Sequence, residues 1–271
     1  MNIKKIFSFE FLPTFQNRDD YFEKIIADPN PFGRILSLFS LLVIFTGVYG
    51  IVMGSFHSFA QAIAAGIKTP LLTVLTLLIC FPAFFIIQHV LGSKLKLSRM
   101  IAIILSGFVL TSSIIVSFAP IAIFFLLIGS NYYFLQLLHI AIFVLSGIFG
   151  MKTVIDALKI SCEKKNIYPR TGVVVFRFWI VILAFVGIQL AWVLRPFMGD
   201  EGKPFKLFRQ YEGNFYTALI YSFEQLAKPG SKKTDIKKYE MVPENESDDS
   251  SIDSLFQFDF DSHREGNNGG R

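Results

Sequence analysis

Charged residues are scarce in this sequence. Lys, Arg, Asp and Glu make up 17% of 271 residues, below the roughly 25% usual for soluble chains, and the long stretches between Ile35 and Leu194 hold almost none of them. That shortage excludes a solvated globular surface over the middle of the chain. Cysteine is limited to Cys80, inside an apolar block, and Cys162, in a basic connector, so a disulfide would require the connector to reach into a span. The four histidines and two cysteines show no metal-ligand spacing, no glycine loop is built to cradle phosphate, and no two carboxylates share an apolar block. No catalytic, metal-binding or cofactor-binding residue is therefore expected, and the protein reads as a non-enzyme. The apolar spans contain no Asp or Glu at all, which also weakens ion-coupled transport.

What the chain has instead is apolar surface: hydrophobic residues reach 52%, with 31 phenylalanines. Blocks able to cross about 30 Å of hydrocarbon at about 1.5 Å per residue run over 35–54, 70–91, 100–129, 134–150 and 173–194. The expected fold class is all-α: a polytopic integral membrane bundle of about five transmembrane helices with amphipathic interfacial helices. Four regions follow from this pattern. They are a leader over 1–34 with one short amphipathic helix, a transmembrane domain over 35–195, an amphipathic membrane-proximal segment over 196–227, and a polar, acidic tail over 228–271 expected to be disordered. The residues up to Phe11 carry Lys4 and Lys5, but Glu10 interrupts a short apolar run, so the first span is expected to serve as an uncleaved anchor.

Local signals refine the blocks. Asn17 and Asp20 resemble a capping box ahead of Tyr21, Phe22, Ile25 and Ile26, and Asp28-Pro29-Asn30-Pro31 stops that helix. Over Ser55 to Thr69, Phe56, Phe59, Ile63 and Ile67 share one face and His57, Gln61 and Lys68 the other, which predicts an interfacial helix with its polar side in water. Pro82 is expected to kink the second span. The run 100–129 is too long for one upright helix. Either a tilted helix breaks at Pro120, or the part after Pro120 is a short re-entrant piece. Trp179 and Trp192 mark the two ends of the last span.

A few residues stand out as candidates for packing or interior polarity. Gly50 and Gly54 form a small-xxx-small pair suited to close helix contact, within the chain or in a homo-oligomer. Gln136, His139 and Gln189 are the interior polar side chains, read as interhelical hydrogen-bonding groups in preference to a proton relay. Arg177, Arg195 and Arg209 are candidate interfacial residues, Arg177 by snorkelling to the basic side.

Lys and Arg are concentrated at two connectors, at Lys94, Lys96 and Arg99 and again from Lys152 to Arg170, whereas the first connector has Lys68 and the third has none. That alternation fits five spans with a cytoplasmic amino terminus. The basic residues lie between apolar blocks, so lipid headgroups explain the net charge of +5 and nucleic acid is not an expected partner. The bilayer is one partner, and a membrane or peripheral protein, bound through the tail, is another.

The layout of a leader, a proline-rich entry at Asp28 to Pro31 and five closely spaced spans resembles the Yip family of Ypt-interacting membrane proteins. The block Lys68-Thr69-Pro70 through Ile79-Cys80-Phe81-Pro82 to Leu91-Gly92-Ser93 is similar to the second-span region of bacterial Yip-like proteins. The resemblance covers Pro31 to Leu194 and implies a bacterial inner-membrane protein. The Asp-Leu-Tyr-Gly-Pro motif of the eukaryotic trafficking members is absent, so their GTPase partners are not implied. Two functions remain: a non-enzymatic scaffold or partner-binding component of a membrane assembly, or a channel or carrier for a small solute or ion.

Overall fold

The computed structural model describes residues 31–129, 131–163, 169–199 and 215–227. All lie in the first of two compact units, Met1–Ser231; the leader helix, Arg209 and the acidic tail fall outside the described residues. The helices are α1 (Pro31–Gly54), α2 (Phe59–Val90), α3 (Leu97–Ser117), α4 (Ala119–Ile128), α5 (Tyr132–Glu163), α6 (Arg170–Val193) and α7 (Phe215–Ala227). Among the described residues there is no strand. Five stretches are long and apolar enough to cross a membrane: Pro31–Gly54, Phe59–Val90, Leu97–Ile128, Tyr132–Lys159 and Arg170–Val193. The chain is an all-helical, multi-pass membrane protein.

Helix α3 is the centre of the bundle. Every residue from Ala102 to Leu110 is buried, which a helix achieves only when neighbours cover its whole circumference. Helix α1 packs on α2 and α3, α5 on α3, and α6 on α2 and α5, and side chains of α2 and α6 join the core to which α3 contributes most. One apolar core joins Leu38 and Leu42 of α1, Phe84 of α2, Ile103 and Val109 of α3, Val154 and Leu158 of α5, and Phe176 and Trp179 of α6. The outer faces are equally apolar, with Leu78, Ile86, Phe178 and Val181 all exposed, as lipid contact requires.

The small residues decide how closely the helices approach. A Cβ added to Gly50 would meet the Ala65 carbonyl at 2.5 Å and Thr69 Oγ1 at 2.6 Å, and one on Gly54 would collide with Gln61 and Ala62. The Gly50 and Gly54 pair is thus spent inside the chain, on the α1–α2 crossing, and not on a second copy. A second crossing, not marked in advance, joins α3 to α5. There a Cβ on Gly150 would lie 2.7 Å from the Gly107 carbonyl.

One boundary differs from expectation and another follows it. The segment over 55–69 is not a separate interfacial helix, because α2 runs unbroken from Phe59 to Val90 with Pro70 and Pro82 inside it. Pro70 removes one N–H, leaving the Gly66 carbonyl without its helical donor. Gly47 of α1 sits against that carbonyl, so the seam of small residues accommodates the proline. Ser58 caps the start, accepting from the Gln61 amide at 3.2 Å. The run 100–129 does break ahead of Pro120. Helix α3 ends at Ser117, Phe118 forms the joint, and α4 continues to a left-handed Gly129 with φ of 77°.

Candidate functional site

The polar face of α2 points inward, the reverse of the amphipathic reading. Phe59 is 83% exposed, whereas Gln61 is 1% and Lys68 4% exposed. Carbonyls of non-helical backbone that are covered by protein need donors from the protein. The stretch after α6 is such a backbone, and α2 supplies the donors. Gln61 Nε2 donates to the carbonyls of Pro196 and Phe197, both at 2.9 Å, and Lys68 Nζ donates to the Pro196 carbonyl at 3.2 Å. Gly199, with φ of 76°, closes over His57, where a Cβ would stand 2.7 Å from the His57 side chain. His57 is half-buried under that turn and is not the open surface imidazole its sequence position suggests. Arg195 lays its guanidinium 3.6 Å from the Trp192 ring centroid, a cation–π contact that holds it at the end of α6.

The interior polar residues named from sequence are not brought together as a set. His139 is buried, and its Nδ1 shares a 2.7 Å hydrogen bond with the Tyr49 hydroxyl. Phe143 stands edge-on to the same tyrosine. Gln136, one turn earlier on α5, is half-buried, and its Oε1 accepts weakly from Ser222 of α7 at 3.4 Å. Gln189 is exposed on the outer face of α6, remote from this pair in role. Arg177 is likewise exposed on α6. Arg209 lies outside the described residues.

Other polar contacts had no local signal in the sequence. Trp179, read as a boundary marker, is buried instead, and its indole N–H donates to the Cys80 carbonyl at 3.0 Å, pinning α6 to α2. Gln88, near the end of α2, is fully buried, and its Nε2 donates to the Gly172 carbonyl at 3.0 Å. Among the described residues, Gln88 Oε1 and Ser146 Oγ are buried without a hydrogen-bond partner. Thr69, Thr76, Ser106 and Thr111 turn their hydroxyls back onto their own helices. Among the described residues no group of three His, Cys, Asp or Glu side chains is placed to hold a metal ion.

Chemically, these groups bind one another. A hydroxyl beside an imidazole is a familiar pairing for proton transfer, but Tyr49 and His139 are enclosed by side chains, which leaves a substrate no approach. The most distinctive arrangement is the dock of α2 against residues 195–199, where two donors on one helix face hold a non-helical segment. No protein-family model, curated protein or solved structure matches the chain, so its membership is of a structural kind: a helical membrane bundle with five candidate spans, of which the third is the most buried.

Proposed function

We propose that this protein is a non-enzymatic scaffold or partner-binding component of a membrane assembly. The observation that supports this reading is the filled centre: α3 is enclosed by apolar side chains. Interior donors such as Tyr49 or His139, Gln61, Gln88 and Trp179 bond to other parts of the same bundle. Such a bundle is a platform that holds its ends and surfaces in place. The proposed setting is a bacterial inner membrane with the amino terminus cytoplasmic, which the positive-inside pattern at Lys94, Lys96, Arg99 and Arg170 favours. The Yip-like layout belongs to the same proposal, as does a protein partner recognised through the tail over 228–271.

The test pairs capture with flux. Affinity capture of the full chain and of a version ending at Ala227 should differ in one or more specific membrane or peripheral proteins, and liposomes containing the purified chain should pass no small ion. A channel or carrier is the second reading, favoured by Gln88 Oε1 and Ser146 Oγ, two buried polar atoms without partners. Solute flux abolished by His139→Ala or Gln189→Ala would reverse the order of the two readings.

A further inference from the structure

Arg177 is exposed on α6, and so is Arg170 at the start of the same helix. Seven residues separate them, nearly two full turns, so both lie on one face about 10 Å apart along the axis. Asp156 and Lys159 pair with each other on α5, but among the described residues no hydrogen bond, ion pair or ring contact engages the Arg177 guanidinium. Beyond it the same side of α6 is apolar and open, with Phe178 69%, Val181 67% and Phe185 54% exposed. Because Arg170–Val193 is a span, this face meets lipid.

A guanidinium left in hydrocarbon is costly, so it must reach an anion at the membrane surface. Side chains on a helix lean toward its amino terminus, which for α6 is the basic end of the bundle. The stem of Arg177 therefore carries its charge up toward the headgroups. Its planar fork matches two oxygens of a phosphate, a geometry that lysine lacks. We propose that Arg177, with Arg170 above it, binds the phosphate of an anionic phospholipid whose acyl chain lies along Val174, Phe178, Val181 and Phe185. The occupant is a lipid and not a free anion, because the charge opens directly onto an apolar stripe that a soluble ion would not use. The inference rests on five-span insertion and is independent of the scaffold reading.

The test counts lipids retained by the full chain. Protein reconstituted in phosphatidylcholine containing a minority of phosphatidylglycerol is released into detergent, and native mass spectrometry compares the two lipids still attached. The wild type should retain phosphatidylglycerol about fivefold above its share of the mixture. Arg177→Gln should bring retention close to that share, and Arg177→Lys, which keeps charge and fold but loses the fork, should fall between. Lys94→Gln, which removes an exposed charge at the same end of the bundle, should behave as wild type. Excess inorganic phosphate should leave the lipid in place. Equal retention by wild type and Arg177→Gln, no preference in the wild type, an equal loss in Lys94→Gln, or displacement by inorganic phosphate would each overturn the proposal. A loss in Arg177→Gln with aggregation on gel filtration leaves Arg177→Lys to decide: wild-type retention there overturns the fork, and reduced retention supports it.

Discussion

The Tyr49 hydroxyl and His139 Nδ1 lie 2.7 Å apart and join the first helix to the fifth across 90 residues of sequence. Their rings meet edge to face, 5.6 Å between centroids, and Phe143 adds a second edge contact on the same tyrosine. In lipid, where apolar side chains gain little by leaving the solvent, such a bond is one of the few directional contacts that choose between neighbours.

Its contribution is measurable as a coupling energy. In a double-mutant cycle built from Tyr49→Phe and His139→Phe, unfolding in detergent should show coupling of about 0.6 kcal/mol and at most about 1.7 kcal/mol, the range for interhelical hydrogen bonds in membranes. Strict additivity of the two substitutions would remove the bond from the account.

The glycine crossings predict a sharp contrast between positions that look alike in sequence. Gly50→Ala places a methyl 2.5 Å from the Ala65 carbonyl and should destabilise by about 1–3 kcal/mol, as overpacking does. Gly147→Ala meets nothing within 4 Å and should be neutral or stabilising by up to about 1 kcal/mol. Unfolding midpoints of the two variants, compared in the same detergent, decide the matter.

The dock on α2 predicts an opening. Met198 is buried beside the segment that Gln61 holds, so Met198→Cys, in a background with Cys80 and Cys162 replaced by Ser, should react slowly with a thiol reagent. Adding Gln61→Leu removes two donated hydrogen bonds and should raise the labelling rate about tenfold or more. Unchanged labelling would mean that residues 195–199 are held by something other than α2.

Five crossings place the connectors on alternate sides. An impermeant maleimide applied to sealed vesicles should label Lys94→Cys and Arg170→Cys from one side and Asn131→Cys from the other, all three positions being exposed at helix ends. Labelling of Lys94→Cys and Asn131→Cys from the same side would mean that the third span, broken at Phe118, turns back without crossing.

The break itself was legible in the sequence, because proline lacks the N–H that a continuous helix needs and the run from 100 to 129 exceeds one bilayer thickness. So were Gly50 and Gly54 as a close-contact pair and His139 as an interhelical bonding group. Gly107 and Thr111 on α3 and Ser146 and Gly150 on α5 show the same small-xxx-small spacing, but spacing on one helix does not say which neighbour it meets, and the closeness of Gly107 and Gly150 arises only where α3 and α5 cross.

Solvent and secondary structure were set by the sequence itself: apolar blocks of sufficient length, almost free of charge, have no stable home but the membrane and no stable form there but helix. Which face of each helix meets protein was decided only in three dimensions. In water, apolar periodicity announces the buried side, but lipid tails are as apolar as a protein core, so that signal vanishes or inverts. Gln61 and Lys68 are the clearest case. Their spacing opposite Phe59 and Ile63 suggested a wet face, yet the carbonyls of Pro196 and Phe197, more than 120 residues away, take their donors from that face. That pairing turned the polar face inward and left the phenylalanine to the lipid.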